Sequence, residues 1–125
     1  MKLTYSRYDL KFKVPGGTSR GILRTKETYF IKIEKEGSLG VGEVALFRGL
    51  SYDDRPDFEA RMSWLASYID QGKEWCLDQL DEYPSIAFGL EQAFLSLESP
   101  RRFELFPSDF TRGSDSIDIN GLVWM

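Results

Sequence analysis

Histidine is absent from the 125 residues, and cysteine occurs once. The first absence removes Ser-His and Cys-His nucleophilic catalysis and every histidine-ligated metal site. The second excludes an internal disulfide, and Cys76, set among apolar residues of helical spacing, reads as a buried small hydrophobe. No apolar stretch approaches the length that spans a bilayer, and the opening MKLTYSRYDLKF is too polar for a signal peptide. A cytoplasmic protein with no membrane partner is expected. Nor is positive charge in excess. The net charge of −4 argues against a nucleic-acid partner.

What is present is enough for one packed domain. Hydrophobic residues make up 42% and aromatics 14% of the chain, which excludes disorder as its general state. Basic residues gather early, at Lys11, Lys13, Arg20, Arg24 and Lys26. They mark either a local anion site or a solvated strand edge.

The first third alternates with a period of two. Strands are expected over 2–14, 28–35 and 38–47, with the Glu36-Gly37 pair as the turn between the second and third. Apolar parity changes between Tyr5 and Tyr8, so a bulge or a change of buried face is expected near positions 6 and 7. Pro15-Gly16-Gly17 should break regular structure before the next strand. The second third changes to helical spacing. Helices are expected over 56–71, 73–82 and 84–98, the first carrying Phe58, Met62, Leu65 and Ile69 on one stripe and ending at Gly72. Pro56 suits its first turn, and Asp53 or Asp54 its cap. Ile86, Leu90, Ala93, Phe94 and Leu97 form the stripe of the third helix, which should stop before Pro100. Gly89 inside it weakens the helix by roughly 1 kcal/mol against alanine, so close packing on a neighbour is its expected reason. Residues 101–116 read as a connector, and 117–125 as a closing strand. That strand ends in Leu122, Val123, Trp124 and Met125, apolar on both faces as a doubly covered strand would be. Strands first and helices second is the α+β order.

Four segments could carry chemistry. GVGEVA at 40–45 has the letters of a dinucleotide fingerprint, but its glycines lie inside a strand and no helix opens within it, so a close backbone approach or a bulge is the better reading. The carboxylates Asp53, Asp54, Asp57 and Glu59 could suggest a metal, yet their place at a helix start is explained by capping. GGTSRG at 16–21 offers hydroxyls and a forked cation in a loop, either as a substrate lid or as a plain connection. FRGLS at 47–51 is a second loop of the same kind, at the strand-to-helix junction. Asn120-Gly121 has the letters of a hairpin turn.

Taken together, the strand meander with GVGE in its third strand, the helical segment and the strand beginning INGLVWM resemble the enolase superfamily. GTSRG, PSIAFGLEQAF and NGLVWM narrow the resemblance to the o-succinylbenzoate synthase family. Muconate lactonizing enzymes and dipeptide epimerases share the plan. The resemblance implies a capping domain over 1–100, and a closing segment that is the first strand of a (β/α) barrel lying outside this chain. It implies a magnesium ion and lysine acid–base groups on that barrel, a small-molecule carboxylate substrate, and loss of water through an enediolate on the way to menaquinone. No catalytic or metal position is implied in these 125 residues. What the resemblance places here is specificity: Thr18, Ser19, Arg20 and Gly21 in one substrate-facing loop, Arg48, Gly49 and Leu50 in the other, and Trp124 near the active end of its strand. The rival expectation from another class is a free-standing α+β binding module without activity.

Overall fold

A computed structural model describes residues 1–18, 21–101 and 104–121. Three antiparallel strands, β1 (Lys2–Thr18), β2 (Gly21–Lys35) and β3 (Ser38–Ala45), form one sheet in the order β1-β2-β3. Three helices follow, α1 (Phe58–Tyr68), α2 (Lys73–Asp78) and α3 (Pro84–Glu98), with a single 3-10 turn, Ile69–Gln71, between the first two. The helices gather on one face of the sheet, and among the described residues no helix covers the other.

The packed face is built by strand parity. Leu3 of β1, Tyr29, Ile31 and Ile33 of β2, and Val44 of β3 are buried there against Phe58, Met62, Leu65, Leu80, Ile86, Leu90 and Ala93. Each large apolar side chain so buried contributes roughly 1.5–3 kcal/mol relative to an exposed one. The helical stripes fall where the spacing predicts: Phe58, Met62, Leu65 and Ile69 are all buried, and so is Cys76. Burial pushes the Cys76 thiol up, and its Sγ donates to the Tyr68 carbonyl at 3.5 Å. That is the behaviour of a packed hydrophobe.

The glycines of the third strand do mark a close approach. A Cβ on Gly40 would fall inside contact distance of the Ala93 carbonyl oxygen, and one on Gly42 inside that of Gly89. A Cβ on Gly89 would meet the Val44 side chain. Helix and strand therefore touch backbone to backbone, which only glycine permits.

Several expectations are corrected. The pairing of β1 with β2 runs without interruption from Lys2↔Glu34 to Lys11↔Thr25, so positions 6 and 7 hold no bulge. Of the two expectations for that parity change, the change of buried face holds: Tyr8 stands beside Phe30 on the face turned from the helices, with ring centroids 6.2 Å apart. The irregularity lies instead between Lys11 and Gly16, where residues 12–15 face Arg24 alone. Proline cannot donate a ladder hydrogen bond, and the bulge absorbs Pro15. Pairing then resumes from Gly16↔Leu23 to Thr18↔Gly21, so Pro15-Gly16-Gly17 interrupts the ladder without ending the strand. Pro56 precedes α1 and is not in its first turn. The second helix closes early because the chain turns to bury Leu80 and Tyr83. Asp57 occupies the cap position of α1 without a side-chain capping bond, and Asp53 caps a different helix: it is fully buried and accepts from Ser85 N at 2.8 Å and Ser85 Oγ at 2.9 Å, at the start of α3.

Residues 117–121 form no strand, and Ile119 is 87% exposed. A strand exists where a neighbour takes its backbone hydrogen bonds, and among the described residues none pairs with this segment. Residues 122–125 of the expected closing strand lie outside the described residues.

Candidate functional site

On β2 the odd residues Tyr29, Ile31 and Ile33 face the core, and Glu27 follows on the same parity. On β1 the same holds for Leu3, Tyr5 and then Arg7. The apolar stripe thus turns charged where the hairpin runs out beyond the end of β3. There β1, β2 and the loop after β3 enclose a cleft of about 300 Å³, lined among others by Arg7, Lys11, Thr25, Lys26, Phe47 and Arg48. Four cations and two carboxylates, Asp9 and Glu27, stand in its lining, and two further carboxylates, Glu43 and Asp54, pair with Lys26 and Arg48 from beyond it. A wider, shallower hollow of about 620 Å³ lies at the far end of the sheet beside the Glu36–Gly37 turn, lined among others by Met1, Lys2, Glu34 and Leu39. It groups no chemistry comparable to the hairpin cleft.

Ion pairs set the geometry of the cleft. Arg48 donates through Nη2 to Glu27 Oε1 and through Nη1 to Asp54 Oδ1, the latter at 2.9 Å. Arg7 Nη2 stands 3.1 Å from the other oxygen of Glu27. Burial works to raise the Glu27 carboxyl, but hydrogen bonds from Arg48 and Tyr29 outweigh it and hold the group below the usual carboxylate range. The Asp54 carboxyl is held low first by the Gly49 amide and then by Arg48. The Tyr29 hydroxyl lies 2.8 Å from Glu27 Oε1 and 2.8 Å from Glu59 Oε1, and its one proton serves one of them at a time. Burial and the two carboxylates push that hydroxyl far above its ordinary value. Lys26 reaches Glu43 at 3.4 Å and lies 5.3 Å over the Phe47 ring. Lys11 forms no ion pair among the described residues.

Of the residues singled out in the sequence, Arg48 lines the cleft, with its guanidinium committed to two carboxylates. Gly49 has φ +75 and donates its amide to Asp54 Oδ2 at 2.6 Å. Leu50 is 41% exposed, with its amide donating to the Phe47 carbonyl at 3.0 Å. Thr18 and Gly21 pair at the hairpin tip, where Thr18 Oγ1 donates to the Gly21 carbonyl at 2.8 Å. They stand outside the lining of the cleft. Ser19, Arg20 and Trp124 lie outside the described residues. Sequence reasoning missed Glu27, Tyr29 and Asp54 as parts of one site. A charged residue on the apolar parity of a strand was the available signal for Glu27. No group of three or more histidine, cysteine, aspartate or glutamate side chains that could hold a metal ion occurs among the described residues.

The long hairpin, the third strand pressed against a helix by glycines, and the cleft at the sheet end define the capping domain of an enolase-superfamily protein. The chain belongs to the MenC N-terminal domain family, whose description, "MenC, N-terminal domain", matches residues 3–97. It is 35% identical to o-succinylbenzoate synthase of Desulfotalea psychrophila, over 100% of this chain and 42% of the relative. It is 31% identical to o-succinylbenzoate synthase of Proteus mirabilis, over 61% of this chain and 23% of that relative. Among solved structures, MenC from Desulfotalea psychrophila superimposes with a TM-score of 0.75 at 32% identity. A mandelate racemase/muconate lactonizing protein from Herpetosiphon aurantiacus, with a TM-score of 0.60 at 21% identity, shares the fold. The chain spans 42% of the length of the Desulfotalea relative, so it corresponds to an N-terminal domain of such proteins. Among the described residues no helix is long and apolar enough to cross a membrane.

Proposed function

We propose that this chain is the capping and substrate-specificity domain of an o-succinylbenzoate synthase-like lyase, a cytoplasmic enzyme of menaquinone biosynthesis. In this reading the bond-breaking chemistry belongs to a C-terminal (β/α) barrel, where a bound magnesium ion would supply electrophilic stabilisation and a lysine would serve as the base. The residues described here fit neither role. Their contribution is to close the barrel mouth, exclude water and select a carboxylate substrate.

The observation that carries this reading is the charged cleft formed jointly by the hairpin and the loop after β3, with Lys11 in its lining, in a chain of the MenC family. Lys11, without a salt-bridge partner among the described residues, is available to an anion in solution. Exposed apolar groups on the hairpin, Val14 at 78% and Ile22 at 67%, suit a surface covered by a second domain. Thr18, Ser19, Arg20, Gly21 and Trp124 complete the substrate-facing set in this proposal.

The test is a magnesium-dependent dehydration assay on the full-length protein and its Arg20→Ala variant. The variant should lose about tenfold or more in kcat/KM with its melting temperature unchanged. Unchanged activity with the authentic substrate would remove Arg20 from the lid. Absence of magnesium-dependent turnover in the unmodified protein would overturn the assignment itself.

A further inference from the structure

Arg48 joins two parts of the fold that share no strand pairing. Glu27, on β2, accepts from its Nη2, and Asp54, beyond the loop, accepts from its Nη1 at 2.9 Å. Each carboxylate is itself held by a second donor. The other oxygen of Glu27 stands 3.1 Å from Arg7 Nη2, and the other oxygen of Asp54 accepts from the Gly49 amide at 2.6 Å. The Phe58 ring lies 5.8 Å from the guanidinium carbon and backs its flat face. The loop is closed on itself as well: the Leu50 and Ser51 amides both donate to the Phe47 carbonyl, at 3.0 and 2.9 Å, and the Phe47 amide donates to Ser51 Oγ at 2.9 Å. A preformed turn is therefore fastened to the hairpin arm through one side chain.

An isolated exposed ion pair contributes little. This one is a network, and the Glu27 side chain within it is only 11% exposed. A guanidinium also differs from an ammonium in presenting separate N–H groups that can fork to two carboxylates at once. A substrate carboxylate arriving at Arg48 would have to displace one of the two it already holds.

Resting on the capping role above, we propose that Arg48 is a positioning residue and not a substrate ligand. It fixes the 47–51 loop against the β1–β2 arm, so that the two substrate-facing segments are held at one spacing. Arg48 acts through Glu27 and Asp54. The device sets specificity by geometry: the loop reaches the substrate at a place determined by the arm.

The experiment compares Arg48→Met, Arg48→Lys, Asp54→Asn and the Arg48→Met/Asp54→Asn pair in the full-length protein. Two readouts are needed: amide hydrogen exchange at Gly49 and Leu50, and kcat and KM for the hydroxycarboxylate that dehydrates to o-succinylbenzoate. Arg48→Met and Asp54→Asn should each speed exchange of those amides by about tenfold. Both should lower kcat/KM, and the double variant should be no worse than the single ones. Arg48→Lys keeps the charge but loses the fork, and should loosen the loop nearly as much. The proposal is overturned if Arg48→Met raises KM while the loop amides exchange at the original rate and Asp54→Asn turns over normally, because Arg48 would then touch substrate directly. It is equally overturned if Arg48→Lys restores both readouts. If Arg48→Met does not fold, Arg48→Lys and Asp54→Asn decide. If the unmodified protein shows no turnover, the capping assignment fails, and loop exchange alone still tests the latch.

Discussion

Gly42 of β3 lies against Gly89 of α3 so closely that neither position has room for a side chain. A methyl group on Gly42 would strike the Gly89 carbonyl oxygen, which belongs to the helix backbone and cannot swing away. Gly42→Ala should therefore cost about 1–3 kcal/mol of stability through overpacking. Gly89→Ala should cost a similar amount, because its methyl group would meet Val44 Cγ2, on a stiff and buried β-branched side chain, and the Glu43 carbonyl oxygen, and the preference of alanine for the helix offsets only part of that. Gly17→Ala, where open space surrounds the new carbon, is the control. Urea midpoints of the three variants check the order; equal midpoints would mean that the helix does not press on the strand.

Asp53 is the second point of attachment between loop and helix. Its two oxygens accept from the Ser85 amide at 2.8 Å and the Ser85 hydroxyl at 2.9 Å, with no exposure to water. Asp53→Ala should lower stability by about 1–3 kcal/mol, since a buried helix-end donor is left without a partner. Asp53→Asn keeps one acceptor and should be milder. Thermal unfolding of both variants against the parent measures this, and an unchanged Asp53→Ala transition would rule the cap out.

The Tyr29 hydroxyl carries one proton between Glu27 and Glu59, each 2.8 Å away. In Tyr29→Phe that proton is gone and two carboxylates face each other across the gap. The loss should be about 1–2 kcal/mol. Glu59→Gln should recover part of it, because the amide can donate where the hydroxyl did and removes one charge. A double-mutant cycle on equilibrium unfolding reads the coupling, and strict additivity would mean that the three groups do not interact.

Acid stability reports the same network. Glu27 and Asp54 are both held below the ordinary carboxylate range when folded. Their contribution is present above the unfolded value and is lost as pH falls through the lower folded values, because the unfolded chain binds the proton first. Arg48→Met removes a donor from both groups, so their folded values should move back toward the ordinary range. The pH dependence of unfolding below about pH 5 should then become shallower than in the parent. Part of the effect is screened, since the Arg48 side chain is 43% exposed, and added salt should shrink it further. Parallel acid-unfolding curves for parent and variant would show that the pairs contribute nothing.

The sequence was most readable where periodicity is long. The stripe Phe58, Met62, Leu65, Ile69 needs only the 3.6-residue repeat, and all four are buried. The glycine pair in the third strand was readable for a similar reason, since a strand tolerates two glycines only when something lies against them. Near positions 6 and 7 the parity change allowed either a bulge or a change of buried face, and it is the change of face that occurs, because apolar parity records which face is covered and not which residues pair. Tyr8 changes face while its pairing with Thr28 stays regular. Pro15-Gly16-Gly17 carries a local signal for a break, and pairing with residues 21–23 overrides it. Asp53 was assigned to the nearest helix, whereas its partner is 32 positions away. Contacts of that span, like Arg48 with Glu27 at 21 positions, leave no periodic trace.

The third strand pairs with β2 only from Thr28 to Lys35, so residues 21–27 have β1 as their one strand partner, and side chains beyond the hairpin hold only Lys26 and Glu27 at the base of that stretch. Beyond that line the sheet is a two-stranded ribbon, a form that twists readily and adds little to the core. Its outward side chains, Val14 and Ile22 among them, can therefore be exchanged with small effect on folding. Protein engineers would describe such a ribbon as a cassette: a stretch that can be replaced by the matching piece of a relative while the packed body beneath it stays as it was. Selection on substrate preference and selection on stability would then fall on different residues of one short chain.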